Sequence, residues 1–116
     1  MAEPEPFELL DLHVAAFNQG VESGDWNPMV EGFTPDGEVV FVGAPVEPLK
    51  GRYVIGEGYR ENPPDDEVRI IEAAVLGGEI VASYGWSRDE GQKAGLMVLT
   101  PYKAKIRRLL ITFDPR

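Results

Sequence analysis

Val68-Arg69-Ile70-Ile71-Glu72-Ala73-Ala74-Val75-Leu76 and Glu79-Ile80-Val81-Ala82-Ser83-Tyr84-Gly85-Trp86-Ser87, with Gly77-Gly78 between them, decide the reading of this chain. Each run is apolar and of strand length. The glycine pair can take the positive φ angles that a two-residue hairpin turn needs. Ala94–Pro101 and Lys105–Phe113 repeat the pattern downstream, and the polar Arg88–Lys93 stretch separates the second run from the third. Four such runs in succession predict an antiparallel meander. Side chains alternate across a strand, so Ile80, Ala82, Tyr84 and Trp86 share one face, with Val81, Ser83, Gly85 and Ser87 on the other. In the last run Leu109, Ile111 and Phe113 share a face.

Upstream of the meander the periodicity changes from two to that of a helix. At about 100° per residue, Glu8, Asp11, Asn18, Gln19 and Glu22 gather on one side of Phe7–Glu22. A wide apolar arc lies opposite, so other elements are expected to cover much of this helix. Ser23-Gly24 stops it, and Asp25 suits the N-cap of a short second helix, Trp26–Gly32. Thr34-Pro35-Asp36-Gly37 is turn chemistry leading into a strand at Glu38–Gly43. Residues 44–50 carry Pro45 and Pro48 and read as a loop. A third helix is expected over Gly51–Glu61, ending before Pro63-Pro64. The expectation is an α+β chain, α-α-β-α-β-β-β-β, with a flexible arm at residues 1–6 and one domain over 7–116.

Composition removes several classes of function. Twenty acidic residues against eleven Lys and Arg in 116 give a net charge of −9, which disfavours duplex nucleic acid or an anionic membrane as partner. Lys103, Lys105, Arg107 and Arg108 alternate along a strand and are not expected to form one patch. With no cysteine and a single histidine, thiolate and multi-histidine metal sites have no ligands, so neither metal nor cofactor is expected. No apolar run approaches the ~20 residues of a membrane span. The start, Met1-Ala-Glu-Pro-Glu-Pro6, lacks the basic and apolar regions of a signal peptide, which makes the cytoplasm the expected location.

Several local signatures, in order, resemble the nuclear transport factor 2-like superfamily, which includes ketosteroid isomerase and the SnoaL-like polyketide cyclases. They are Val14-Ala15-Ala16-Phe17-Asn18 before Gly24-Asp25-Trp26, then Phe33-Thr34-Pro35-Asp36-Gly37-Glu38-Val39. Lys50-Gly51-Arg52-Tyr53-Val54-Ile55 leading to Tyr59 and the closing strand Lys105–Phe113 complete the set. The resemblance implies a cone: three N-terminal helices packed on a strongly curved, mostly antiparallel sheet, with a cavity at one end. It also implies a homodimer through the outer face of the sheet, where Val81, Val98 and Leu110 are expected.

His13 lies in the middle of the apolar arc of the first helix. By resemblance it takes about the position of the tyrosine that donates to the substrate oxyanion in ketosteroid isomerase. Tyr59 matches a second tyrosine bonded to that donor. Two readings follow. In one, His13 and Tyr59 form the polar end of a pocket for a small, mostly apolar molecule, walled by Phe17, Phe41, Tyr84, Trp86, Met97 and Phe113. His13, with an ordinary pKa near 6.5, could there move a proton without a cofactor. In the other, His13 is a bonded core residue of a non-catalytic dimeric module whose interior is filled by side chains. Phe41 stands at the position of the isomerase's general-base aspartate, and the second oxyanion donor falls near Leu96, so standard ketosteroid isomerisation is not expected. Gly58 either widens the cavity mouth or marks a close contact between helix and sheet.

Overall fold

The computed structural model describes residues 5–89 and 91–114. The chain runs α1 (Pro6–Ser23), α2 (Asn27–Glu31), β1 (Phe33–Val42), β2 (Leu49–Lys50) and α3 (Arg52–Glu61). It then runs β3 (Val68–Leu76), β4 (Glu79–Trp86), β5 (Gly95–Tyr102) and β6 (Lys105–Thr112). The strands make one curved, unclosed sheet in the order β2-β1-β6-β5-β4-β3. Every neighbouring pair is antiparallel except β1 and β6, which are parallel. The α+β class and the meander are as expected. The strand count is not: the segment read as a loop over residues 44–50 ends in β2, giving six strands. Of the expected arm, residues 1–4 lie outside the described residues, and Pro6 already opens α1.

α1 ends as its sequence predicts. Gly24 adopts φ 80°, and its N–H donates to the Gly20 carbonyl at 2.8 Å. Gly20 is needed for a different reason, because the Trp26 ring occupies the space where a Cβ would project. Asn18 ties α1 to the sheet: its amide donates to the Val68 carbonyl at 2.9 Å and its oxygen accepts the Val68 N–H at 2.8 Å. One side chain thus satisfies both backbone groups of the first residue of β3. The buried stripe of α1 is narrower than its apolar arc suggests, for Phe7 and Leu12 are 46% and 57% exposed. α2 begins at Asn27, whose N–H donates to the Asp25 carboxylate at 3.1 Å, so Asp25 supplies the expected capping oxygen from one residue further out.

Three breaks in register bend the sheet. In β1 the pairing with β6 skips from Phe33 to Glu38, so Thr34-Pro35-Asp36-Gly37 forms a bulge inside the strand where the sequence suggests a turn before it. Arg52 holds this bulge through Nε and Nη2, which donate to the Phe33 carbonyl at 2.9 and 2.6 Å. In β3 the break falls between Ile70 and Glu72, leaving Ile71 out of the ladder and 41% exposed. In the β5–β6 pair it falls at Thr100/Pro101, where proline has no N–H to give to a ladder. The extra residue there, Arg107, resets the alternation. Ile106 and Leu109 both point inward, and Arg107 and Arg108 are both exposed, correcting the strict alternation expected for the basic residues.

Across the concave face the registers align Ile80, Leu99, Leu109 and Val39, each fully buried, in one row. The next row is Ala82, Met97, Ile111 and Phe41. The first row packs as solid core; the second, with its small Ala82, begins the open half of the cone. On the convex face the corresponding row is Ala74, Val81, Val98, Leu110 and Val40, spanning five strands.

The β5–β6 turn places Lys103 and Ala104 at φ 49° and 67°, in the left-handed region that residues with a Cβ disfavour. Ala104→Gly is expected to raise stability by up to about 1 kcal/mol in urea unfolding, relief of strain outweighing the added freedom of the unfolded chain. A loss of stability would be inconsistent with this turn geometry.

Candidate functional site

The open half of the cone is a cavity of about 270 Å³. Its sheet wall comes from Phe41, Tyr84, Trp86, Met97, Ile111 and Phe113, and its helical wall from His13, Val14 and Phe17 of α1 with Gly58 and Tyr59 of α3. Ala44, Val46, Leu49, Asn62, Pro64 and Val68 complete it. All eight residues singled out from the sequence therefore line one chamber. Ile111 shares the face of Phe113 by alternation and could have been added to them. Ala44, Val46 and Pro64 carry no such signal, because they reach the chamber from loops whose course is set by the folded chain.

Local packing explains why the aromatic wall does not collapse into the space. Gly95 of β5 faces Tyr84, so the tyrosine ring can lie across β5, and its hydroxyl donates to the Thr112 carbonyl of β6 at 2.8 Å. Tyr84 therefore shows the chamber a ring whose hydroxyl is already engaged. Burial first, then the Asp114 carboxylate, pushes its pKa up to about 12. Trp86 meets Tyr84 edge-on at 5.8 Å, and Phe41 stacks with Phe113 at 6.4 Å. Gly58 marks a close contact between α3 and the sheet. It lines the chamber, and a Cβ there would come within 2.8 Å of the Leu49 side chain, which fills the space a larger residue would need.

His13 and Tyr59 are the polar groups of the buried end. They are 7% and 5% exposed, and neither side chain makes a hydrogen bond to any described residue. No bond joins them to each other, so the expected bonded pair is replaced by two separate groups in one wall. His13 touches the edge of Phe33 at 5.9 Å, while Tyr59 packs against Phe17 and Trp26. Burial lowers the His13 pKa from 6.5 to about 4, which makes it a neutral imidazole at pH 7, with one donor and one acceptor nitrogen. Burial, reinforced by Tyr84, pushes the Tyr59 phenol well above its ordinary range. Among the described lining residues there is no Asp, Glu, Lys or Arg. The chamber is an apolar space whose buried end carries two uncharged, unpartnered groups, His13 and Tyr59; the Trp86 indole N–H and the exposed Asn62 amide are its other polar groups.

Comparison with solved structures fits this architecture. A nuclear transport factor 2-like protein of unknown function from Cytophaga hutchinsonii matches with a TM-score of 0.73 over 99% of this chain and 95% of that one, at 14% identity. The chain has the nuclear transport factor 2-like fold. Within that fold, a candidate ketosteroid isomerase from Kribbella flavida matches at 0.69 over 94% and 80%, with 13% identity. A candidate polyketide cyclase from Sinorhizobium meliloti matches at 0.62 over 89% and 97%, with 22% identity. No family model matches the sequence, and no curated protein matches it at a significant level. At these identities the likeness carries the fold; chemistry has to come from the site.

The two departures from the isomerase pattern have defined places in the nuclear transport factor 2-like cone. Phe41 turns a phenyl ring into the chamber where the resemblance puts a general base. Leu96 pairs with Ser83 on the convex side, while its neighbour Met97 faces inward, so the position expected for a second donor is apolar in either register. No helix among the described residues is long and apolar enough to cross a membrane.

The depressed His13 pKa makes the fold sensitive to acid. The unfolded chain binds a proton at His13 below about pH 6.5, whereas the folded chain resists it until about pH 4. The favourable term is therefore fully present above pH 6.5 and is lost as the pH falls through that window, up to about 3 kcal/mol. In urea unfolding between pH 7.5 and 4, the wild type should lose this amount beyond what His13→Leu loses. Parallel stability curves for the two proteins would refute the assignment.

Proposed function

We propose that this chain is a SnoaL-like pocket protein that takes a small, flat, mostly apolar molecule carrying an uncharged oxygen, which His13 and Tyr59 bind. The observation that carries this reading is a pair of buried, neutral polar groups without protein partners, facing an apolar chamber. Both groups open onto the chamber without a protein partner, so a ligand hydroxyl or carbonyl can bond at two points, each bond contributing about 0.5–1.5 kcal/mol. A carboxylate or ammonium would find no counter-charge there. Aromatic walls favour a flat ring system, and a volume just under the roughly 300–1,000 Å³ of small-molecule pockets keeps it small.

The reading is one of binding before catalysis. A histidine with a pKa near 4 is a weak base and is unprotonated at pH 7, so it donates a hydrogen bond far more readily than it moves a proton. The alternative of a side-chain-filled interior is disfavoured by the open space beside His13. Naphthol should bind the wild type with naphthalene about tenfold weaker; His13→Leu should reduce that difference and His13→Leu/Tyr59→Phe should erase it while leaving the fold intact. Equal affinity of the wild type for the two compounds would overturn the role given to His13 and Tyr59.

The homodimer belongs to the same proposal. The convex row of Val81, Val98, Leu110 and Val40 is a continuous apolar strip on a partly exposed face, of the kind that a second sheet covers. Sedimentation should give a dimer at micromolar concentration and a folded monomer for Val98→Glu. A monomeric wild type at that concentration would rule the interface out.

A further inference from the structure

A second cavity adjoins the chamber. It has a volume of about 530 Å³ and is lined by Trp86, Asp89, Gln92, Lys93, Ala94, Phe113 and Asp114. Trp86 and Phe113 belong to both walls, so one pair of aromatic side chains borders both spaces. Their characters are opposite. The chamber has no charged residue among its described lining, whereas this annex presents a lysine, two aspartates and a glutamine amide.

The annex is held in shape by its backbone. The Ala94 N–H donates to the Tyr84 carbonyl at 2.8 Å, and the Asp114 N–H donates to the Ala94 carbonyl at 2.7 Å. The β4–β5 loop closes on itself where the Gln92 N–H donates to the Asp89 carbonyl at 3.0 Å. Arg69 Nη2 reaches across from β3 to the carbonyls of Asp89 and Gln92, at 3.1 and 3.4 Å. These bonds fix the backbone from which Lys93 and Asp114 project, each about half exposed.

We propose that the annex is the second half of the ligand site and that it receives a neutral, hydroxyl-rich tail, such as a sugar, attached to the ring system in the chamber. The proposal rests on the chamber reading given above and adds the class of molecule. Its chemistry follows from Lys93 and Asp114. Lys93 Nζ stands 3.5 Å from Asp114 Oδ2, longer than the 2.7–2.9 Å of a charge-assisted hydrogen bond. Both side chains are about half exposed, and a ligand hydroxyl between them can accept from the ammonium and donate to the carboxylate in place of water. A carboxylate or phosphate on the ligand would gain Lys93 but be repelled by Asp114, and an amine would meet the reverse. The shared aromatic pair fits the junction, since a ring can contact Trp86 and Phe113 while its substituent passes to the polar side.

The test compares dihydroxynaphthalene with its monoglucoside, followed by quenching of tryptophan fluorescence with wild type and with Lys93→Ala/Asp114→Ala. Neither substituted residue lines the chamber. In the wild type the glucoside should bind about tenfold more tightly than the parent diol, a gain of roughly one well-made hydrogen bond. That advantage should vanish in the double variant while the diol's affinity stays unchanged. A diol that binds with no gain for the glucoside, or a gain that survives the double substitution, would overturn the annex and leave the chamber standing. Failure of both compounds to bind would overturn the chamber reading and this one with it.

Discussion

A sheet bent at three points encloses more volume on its concave side than one helix can fill, and most of this structure follows from that mismatch. The bulge in β1, the break in β3 and the break at Pro101 each insert residues into one strand, which is how a sheet acquires local bend and twist. Leu9 and Leu10 of α1, Met29 of α2 and Ile55 of α3 share one buried cluster with Ile80, Leu99, Leu109 and Val39, which stand in register. Over the open half of the cone, the helices contribute His13, Phe17 and Tyr59, and the sheet contributes rings held flat or edge-on. The chamber is the remainder of an incomplete filling, kept open by well-bonded neighbours.

The same neighbours set its electrostatics. Tyr84 would be a third polar group in the wall if Gly95 did not allow it to cross β5 and bond the Thr112 carbonyl. With that hydroxyl used, only His13 and Tyr59 remain unpartnered among the ionisable groups of the lining, and burial keeps both uncharged. The net charge of −9 stays out of this space. Asp65 and Asp66 pair with Arg88, and Glu57 pairs with Arg60, all at the surface, where such pairs contribute little to stability. The acidity of the chain is largely an exterior property, and the chamber is neutral.

Much of the architecture was legible in the sequence because its signals are local. Gly77-Gly78 adopts φ 59° and 81°, as a two-residue hairpin turn requires, and alternation in β4 put Ile80, Ala82, Tyr84 and Trp86 on the inner face. Where local signals mislead, the cause is visible in particular residues. Thr34-Pro35-Asp36-Gly37 has the composition of a turn, but a bulge inside a strand asks for the same residues: a proline without a ladder N–H and a glycine where Ile106 and Thr34 carbonyls crowd. β2 is two residues long and exists only because Glu38 and Val39 are there to pair with it. Strict alternation failed in β6 because Arg107 is an extra residue that only the register with β5 reveals.

The sequence by itself determined the α+β order, the inner faces of the strands, and the place of one histidine on the buried side of the first helix. These depend on periodicity and turn chemistry, which a chain carries locally. Tertiary structure decided that the space around His13 is open, that no bond joins it to Tyr59, that its pKa drops to about 4, and that a polar annex shares Trp86 and Phe113 with the chamber. Each of these depends on how far apart non-local surfaces are held. That distance is set by bulges and by the Gly95–Tyr84 crossing, and no single segment encodes it.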